Sequence, residues 1–88
     1  MNSNSFIEKA KQIVYKYCLL HFDKTDEINF NKDNVYIVWF SKVLQNWKAL
    51  VSTTLMDGMY YEVTYNGDKQ EYYLDVYKKW ENVKIENV

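Results

Sequence analysis

The chain has 88 residues and a net charge of −1, with eleven Lys, twelve acidic residues and no Arg, so it lacks the basic field and the bidentate phosphate ligand that nucleic-acid binders use. Cys18 is the single cysteine, which excludes an intrachain disulfide. The sequence shows neither a secretion signal nor an apolar run of about 18 residues, so a cytoplasmic protein is expected. A chain of this length is predicted to form one domain, residues 1–88, and its nine Tyr, four Phe and three Trp supply the large side chains that a small core needs.

A single amphipathic helix is predicted over residues 5–22. Ser5 and Glu8 fit a capping box, in which each side chain accepts a hydrogen bond from the backbone amide of the other. Behind this cap, apolar side chains recur at helical spacing and form the stripe expected to face the core, which Val14 and Cys18 widen. The stripe consists of Phe6, Ala10, Ile13, Tyr17 and Leu20.

The polar segment 23–34 is predicted to connect the helix to the first strand, with Ile28 and Phe30 as its anchors on the core. Its length is near the upper limit for an irregular loop, so a short strand or turn is expected within it. No glycine in the segment provides the turn of a calcium loop, and we interpret its carboxylates as solvated groups or local caps rather than as a metal site. These carboxylates belong to Asp23, Asp26, Glu27 and Asp33.

The rest of the chain is predicted to form strands, over residues 35–44, 47–55, 59–65 and 69–77. The first is rich in β-branched and aromatic residues without clean alternation, a pattern typical of a strand covered on both faces. One apolar row of this strand then lies on the side that the helix leaves open, where a dimer partner or a target protein would cover it. That row is either Ile37, Trp39 and Val43, or Tyr36, Val38 and Phe40.

Three short connections set the predicted register. Gln45–Asn46 fits a tight turn, and Met56–Gly58 fits a three-residue hairpin loop with Gly58 in the left-handed region and Leu55 opposite Met59. The third connection, Asn66–Gly67, is the strongest hairpin signal in the chain, because a two-residue type I′ turn requires positive φ at both central positions.

The Asn66–Gly67 turn sorts the rings of the last two strands. It places Tyr61 opposite Tyr72, and both rings belong with the core because alternate residues of a strand point to opposite faces. Tyr60 is then expected opposite Tyr73 on the other face, which also carries Tyr77.

These elements predict an α+β fold in which one N-terminal helix packs on an antiparallel meander of about four strands. The order α-β-β-β-β resembles the cystatin-like wrap of a sheet around a helix, an analogy of fold that carries no function. The tail, residues 78–88, is ambiguous. Trp80 and Val83 fit one helical turn, and the same two residues with Ile85 fit the end of a bent strand.

No enzymatic site is predicted from the sequence. Cys18 and His21, at i and i+3 on the helix, have the chemistry of a nucleophile and its base, but a buried thiol beside a helix-end histidine is the favoured interpretation, since no Gly-rich oxyanion turn accompanies them. Glu62 and Glu71 are predicted to face each other, and we interpret them as a solvated pair. One Cys and one His do not supply four zinc ligands, and no phosphate- or dinucleotide-binding motif occurs, so no catalytic residue, metal or cofactor is expected.

The outward tyrosines and the tail tryptophan are the candidate partner-binding residues. Protein interfaces are enriched in such rings, which are apolar with a polar tip, but tyrosines on a sheet face also serve as cross-strand pairs, and we give the two interpretations equal weight. Base stacking is a third interpretation, which the acidic neighbours and the absent Arg disfavour. The predicted anchors are Tyr60, Tyr73, Tyr77 and Trp80.

Two runs carry a resemblance to a known family: WFSKVLQNWKAL, residues 39–50, and YNGD, residues 65–68. From Phe6 to Asn82 the chain resembles an uncharacterised family of small proteins from phages and prophages of Gram-positive bacteria, catalogued as a domain of unknown function. The resemblance implies a cytosolic protein that binds a bacterial host or competitor protein, as an inhibitor or counter-defence factor. The alternatives are a nucleotide-binding or sequestering protein, with a tyrosine-lined pocket between the protomers of a homodimer, and, less favoured, a single-stranded nucleic-acid binder.

Overall fold

One helix and four strands follow each other along the chain, and the computed structural model describes residues 2–22 and 30–86. The elements are α1 (Ser3–His21), a short 3-10 turn (Lys32–Asn34), β1 (Val35–Val43), β2 (Asn46–Thr53), β3 (Met59–Asn66) and β4 (Glu71–Lys78). These strands form an antiparallel sheet in the order β1-β2-β3-β4, so each strand pairs with its neighbour in sequence. The helix followed by this meander confirms the predicted α+β fold.

Helix α1 begins two residues earlier than predicted. The side-chain oxygen of Asn2 accepts a hydrogen bond from the amide of Ser5 at 2.8 Å, and the Asn2 carbonyl accepts from the amide of Phe6 at 3.0 Å. The predicted capping box of Ser5 and Glu8 is therefore wrong, because Asn is as good an N-cap as Ser and the earlier start adds length to the helix. Among the described residues, no helix is long and apolar enough to cross a membrane.

The helix packs one stripe of buried side chains on the sheet. Phe6 packs against Trp47 with the ring centroids 5.3 Å apart. The buried positions recur every four residues, so the stripe drifts around the helix by about 40° per step and ends at Cys18. Leu20, predicted to belong to the stripe, is 82% exposed, and that part of the prediction is wrong. The buried hydrophobic residues are Phe6, Ala10, Val14, Cys18, Phe30, Val35, Trp47, Ala49, Val51, Tyr61 and Val63.

The connection between α1 and β1 is anchored by Phe30. Its buried ring stacks on Tyr15 at 5.6 Å between centroids and meets Phe22 edge-on at 5.1 Å, as expected for an anchor. The short turn expected in this segment is the 3-10 turn, whose N-cap is the side chain of Asn31. Four other residues of the segment for which predictions were made lie outside the described residues: Asp23, Asp26, Glu27 and Ile28.

The last hairpin does not close at Asn66–Gly67. Asn66 pairs with Glu71, so residues 67–70 form a four-residue turn. The Asn66 side chain accepts hydrogen bonds from the amides of Asp68 at 3.0 Å and Lys69 at 3.2 Å. The predicted two-residue turn is wrong because this Asn side chain caps a longer turn instead of occupying a central type I′ position.

This longer turn leaves the predicted sorting of the rings intact. Tyr61 pairs with Val76 instead of Tyr72, a displacement of four residues. Because side chains alternate with a period of two, an even displacement keeps every side chain on its face. Tyr61 is accordingly buried beneath α1, and Tyr72 packs on the edge of the same core.

The first hairpin turns one residue earlier than predicted. Val43 pairs with Asn46, so the central turn residues are Leu44, at φ 57, and Gln45. Asn46, predicted as a turn residue, lies in β2, and its side chain accepts a hydrogen bond from the amide of Gly67 at 3.3 Å. Asn46 therefore ties this turn to the neighbouring β3–β4 turn.

The middle hairpin has the predicted left-handed glycine, Gly58, at φ 71. Val51 pairs with Tyr61, and β2 ends at Thr53, so Leu55 lies beyond the paired part of the strand and the predicted opposition of Leu55 and Met59 is wrong. The displacement relative to the predicted pairing is again two residues, which leaves the faces of both strands unchanged.

Strand β1 contains a bulge that explains its lack of alternation. Ile37 pairs with Val51, but Trp39 pairs with Leu50, so Val38 is the extra residue. The extra residue reverses the alternation, and both rows proposed from the sequence are wrong because each mixes the two faces. The face opposite α1 carries Tyr36, Trp39, Ser41 and Val43.

The tail forms neither the helical turn nor the bent strand considered for it. Residues 79–86 are irregular and exposed. Its first residue is held by a hydrogen bond from the amide of Lys79 to the carbonyl of Gly58 at 2.7 Å.

Candidate partner-binding surface

The sheet face opposite α1 carries several exposed aromatic rings, and we call it the outer face. Alternation along each strand, together with the β1 bulge, decides which side chains reach it. Its principal residues are Tyr36 and Trp39 of β1, Lys48, Leu50 and Ser52 of β2, Tyr60, Glu62 and Thr64 of β3, and Glu71, Tyr73, Asp75 and Tyr77 of β4.

Three of the predicted anchors lie on the outer face. Tyr60 pairs directly with Tyr77, and Tyr77 is 50% exposed. Tyr73, 46% exposed, pairs with Thr64, so its predicted position opposite Tyr60 is wrong. Tyr73 and Tyr77 are four residues apart on one strand, about 13 Å. The face therefore carries a tyrosine pair at one end and a separate tyrosine toward the other.

Trp80, the fourth predicted anchor, does not belong to the outer face. It lies in the irregular tail, two residues after the end of β4, and is 96% exposed. Val83 and Ile85 of the same tail are exposed as well. The structure therefore separates the tryptophan from the three tyrosines, and the tail is a second apolar element beside the face.

Two further rings of the outer face were not among the predicted anchors. Tyr36 and Trp39 of β1 are 45% and 44% exposed. Trp39 pairs with Leu50, and Leu50 pairs with Glu62, so two apolar side chains and a carboxylate follow each other across the sheet. The signal in the sequence was the missing alternation of β1, which indicates a bulge as well as it indicates burial on both faces.

The outer face is acidic around its tyrosines. Glu62 forms an ion pair with Lys48 at 3.3 Å between Oε1 and Nζ, and it faces Asp75 across the strands rather than the predicted Glu71. The hydroxyl of Tyr73 donates a hydrogen bond to the Glu71 carboxylate, and this bond raises the pKa of Tyr73. Around Tyr73 the face therefore carries three carboxylates, those of Glu62, Glu71 and Asp75, and the ammonium group of Lys48.

Cys18 and His21 have separate partners. The Cys18 thiol donates to the Tyr61 hydroxyl at 3.5 Å, and burial raises the pKa of the thiol above its ordinary value. Burial raises the pKa of Tyr61 as well. The His21 ring stacks on Tyr17 with centroids 3.9 Å apart, and its Nδ1 lies 2.8 Å from the Tyr17 carbonyl. The raised pKa keeps the thiol protonated at neutral pH, and its hydrogen-bond partner in the described part of the chain is the Tyr61 hydroxyl rather than His21.

The described residues contain no group of three or more His, Cys, Asp or Glu side chains placed to hold a metal ion. Of the four acidic residues noted in the connection before β1, Asp33 is the one that the structure describes. Its amide donates to the side chain of Asn31 at 2.9 Å, a local cap of the 3-10 turn.

Comparison with known proteins gives one match. A family model described as a family of unknown function (DUF6275) matches residues 7–87, nearly the whole chain. No curated protein and no solved structure matches it. The match confirms the resemblance to an uncharacterised family.

Proposed function

The chain belongs to DUF6275, a family of unknown function, and we propose that it is a non-enzymatic phage or prophage protein that binds a bacterial protein through the outer face and thereby inhibits it. Acting in the cytoplasm of an infected or lysogenic bacterium, such a protein would serve as a counter-defence factor. The resemblance of residues 39–50 and 65–68 to small phage proteins supports the phage origin, and the acidic aromatic face supports the mode of action.

The observation that carries this proposal is an aromatic sheet face on which no other element of residues 2–22 and 30–86 packs. The chain exposes 6870 Å² of surface, against about 5,500 Å² expected for a folded protein of its 10.7 kDa mass. The difference, about 1,400 Å², exceeds the roughly 800 Å² that one partner contributes to a standard interface. The exposed rings of the face and the exposed tail, residues 79–86, contribute to this excess of accessible surface.

The side chains of the face define the chemistry of the partner. Tyr60, Tyr73 and Tyr77 offer rings whose hydroxyls also form hydrogen bonds, the composition of interface anchors. Glu62 and Asp75 lie beside them with one lysine to balance two carboxylates. The partner we propose has an apolar patch bordered by Lys or Arg, because like charges at these positions would oppose binding.

The proposal is tested by affinity purification of the tagged protein from a Gram-positive host, followed by binding measurements with the purified partner. The test variant replaces all four predicted anchors by alanine, and Leu20→Ala is the matched control, since Leu20 is an exposed apolar residue on the far side of the helix layer. Circular dichroism and the melting temperature must show that both variants fold. We expect the control to bind as the parent does and the four-fold variant to lose at least about a hundredfold in affinity, as loss of interface hot spots does.

A charge reversal identifies the outer face more directly. Asp75→Lys is expected to weaken binding to a basic partner by about tenfold or more, with a smaller loss at high salt. Retained binding by the four-fold variant would contradict the proposal. A dimer in solution that the same substitutions dissociate would assign the face to a second copy of the chain instead.

A further inference from the structure

A cavity of about 600 Å³ opens on the outer face, at the end of the sheet next to the β2–β3 loop. Its size is within the range of small-molecule sites. The lining residues include two tyrosines, one serine, two threonines, two methionines and one lysine. The residues that carry the argument are Tyr36, Ser52, Thr54, Met59, Tyr60 and Lys79.

Two tyrosines flank this cavity on either side of a small residue. Tyr36 of β1 pairs with Ser52 of β2, and the register of Val51 with Tyr61 places Ser52 beside Tyr60 of β3. The Ser52 hydroxyl donates a hydrogen bond to the carbonyl of Met59 at 3.1 Å, so the Ser52 side chain is held close to the backbone of β3. Ser52 is the short residue between the two tyrosines and is itself buried, at 6% exposure, so its neighbours cover most of it; we call the part of the cavity formed by these three residues the tyrosine slot.

The width of the tyrosine slot fits one planar ring. The backbones that carry Tyr36 and Tyr60 are two strand spacings apart, about 10 Å. A ring in contact with another ring on each of its faces needs about 7–8 Å, because carbon atoms pack at 3.5–4.0 Å. Rotation of the tyrosines about their side-chain bonds takes up the remaining distance.

Lys79 supplies a positive charge to the lining of the cavity. Lys79 is held at the cavity by the hydrogen bond from its amide to the Gly58 carbonyl at 2.7 Å. Within the described part of the chain, no carboxylate lies within ion-pair distance of its ammonium group. The carboxylate of the neighbouring loop, that of Asp57, accepts a hydrogen bond from the amide of Met59 at 3.0 Å. Lys79 is the one charged side chain among the residues that line the cavity.

We propose that the tyrosine slot binds a planar aromatic ring that carries an anionic group, the chemistry of a nucleoside phosphate. The ring stacks between Tyr36 and Tyr60 above Ser52, and the phosphate contacts Lys79. The slot shares Tyr60 with the predicted partner-binding anchors, whereas Tyr36, Ser52 and Lys79 are not among them. It also lies within one chain, and needs no second protomer.

The test is calorimetric titration of the full chain with adenosine and uridine monophosphates, the corresponding nucleosides and inorganic phosphate. We expect the nucleotides to bind, the nucleosides to bind several-fold more weakly, and phosphate alone to be weakest. Tyr36→Ala should weaken nucleotide binding about tenfold or more, as loss of a stacking ring does, while Tyr36→Phe retains it. Lys79→Gln should bring nucleotide affinity down to nucleoside affinity and leave the nucleosides unaffected. A 5′-phosphorylated oligothymidylate that binds more tightly than the mononucleotide would assign the site to the end of a strand.

Tyr73→Ala is the matched control, because Tyr73 lies on the same face outside the slot. Melting temperatures verify that each variant folds. No heat of binding with any nucleotide at millimolar concentration would overturn the proposal. Equal losses for Tyr36→Ala and Tyr73→Ala would do so too, because they would place the ligand elsewhere on the face.

Discussion

Substitution of Gly67 by alanine is expected to destabilise the fold through a clash between two neighbouring turns. A Cβ atom at this position would lie 2.2 Å from the carbonyl oxygen of Gln45 and 2.8 Å from its Cβ. Non-bonded carbon atoms pack at about 3.5–4.0 Å, so the overlap exceeds 1 Å. The nearest atom belongs to the backbone of the β1–β2 turn, which no side-chain rotation relieves. Overpacking of this kind costs about 2–3 kcal/mol.

Gly58→Ala is the matched control for this prediction. Gly58 has φ 71, so alanine is strained there, but its added Cβ would lie 3.6 Å from the Cβ of Lys79, an ordinary contact. Backbone strain alone costs about 1–2 kcal/mol. For a chain of this size, each kcal/mol lowers the melting temperature by about 4–8 °C. Calorimetry should therefore show a larger loss for Gly67→Ala, about 10–20 °C, than for Gly58→Ala.

A melting temperature of Gly67→Ala within about 4 °C of the parent would refute this reasoning, because it would show that the two turns are not packed together. If Gly58→Ala lowers the melting temperature more than Gly67→Ala does, the steric clash at position 67 costs less than the backbone strain at position 58, and the predicted order is wrong. Chemical denaturation gives the same comparison at constant temperature, and an unchanged denaturant slope would show that the unfolded state is not altered.

Three further predictions concern single residues. Asn2→Ala should lower the free energy of unfolding by about 1 kcal/mol and Ser5→Ala by much less, because Asn2 caps the helix. If urea denaturation shows the larger loss for Ser5→Ala, Ser5 is the N-cap instead. The free energy of unfolding should fall as the pH rises above about 10, because the unfolded chain releases the Tyr61 proton there while the folded chain, in which the Tyr61 pKa is raised, retains it. If Tyr61→Phe leaves the slope of the unfolding free energy against pH unchanged, this prediction is wrong. Iodoacetamide should alkylate Cys18 far more slowly in the native than in the unfolded chain, and equal rates would contradict its burial beside Tyr61.

The alternation of apolar residues predicted the faces of β3 and β4 better than the turn residues predicted their pairing. Asn66–Gly67 suggested the wrong turn, and the register moved by four residues, yet Tyr60, Tyr73 and Tyr77 lie on the face expected for them. Because side chains of a strand alternate between two faces, an even shift of the register keeps each side chain on its face. An odd shift would have moved the core side chains to the surface and the surface side chains to the core.

The sequence predicts that Gly67 lies in a turn, but it does not show why glycine is required at that position. Gly67 is required because the β1–β2 turn approaches it closely, a contact between residues 45 and 67 that no local pattern reports. The left-handed residue of the β3–β4 turn is Gln70, at φ 55, which composition does not indicate. The Asn66 side chain caps this turn locally, whereas the close approach that requires glycine at position 67 is a long-range contact.

The bulge at Val38 has a similar explanation. Its sequence signal, apolar residues without alternation, predicts burial on both faces, but an extra residue in the strand produces the same pattern. Tyr36 and Trp39 are therefore not among the predicted anchors. Both rings lie on the outer face, and Tyr36 forms one wall of the tyrosine slot.

Site-specific photo-crosslinking in bacterial cells tests the central claim most directly, that the outer face binds a protein. Benzoylphenylalanine is placed at position 73 or 77 on the outer face, and at position 20 on the exposed end of the helix as the control. We predict that positions 73 and 77 crosslink to the same bacterial protein and that position 20 does not. Crosslinks of equal yield from position 20, or crosslinks from positions 73 and 77 only to a second copy of the chain, would contradict the account.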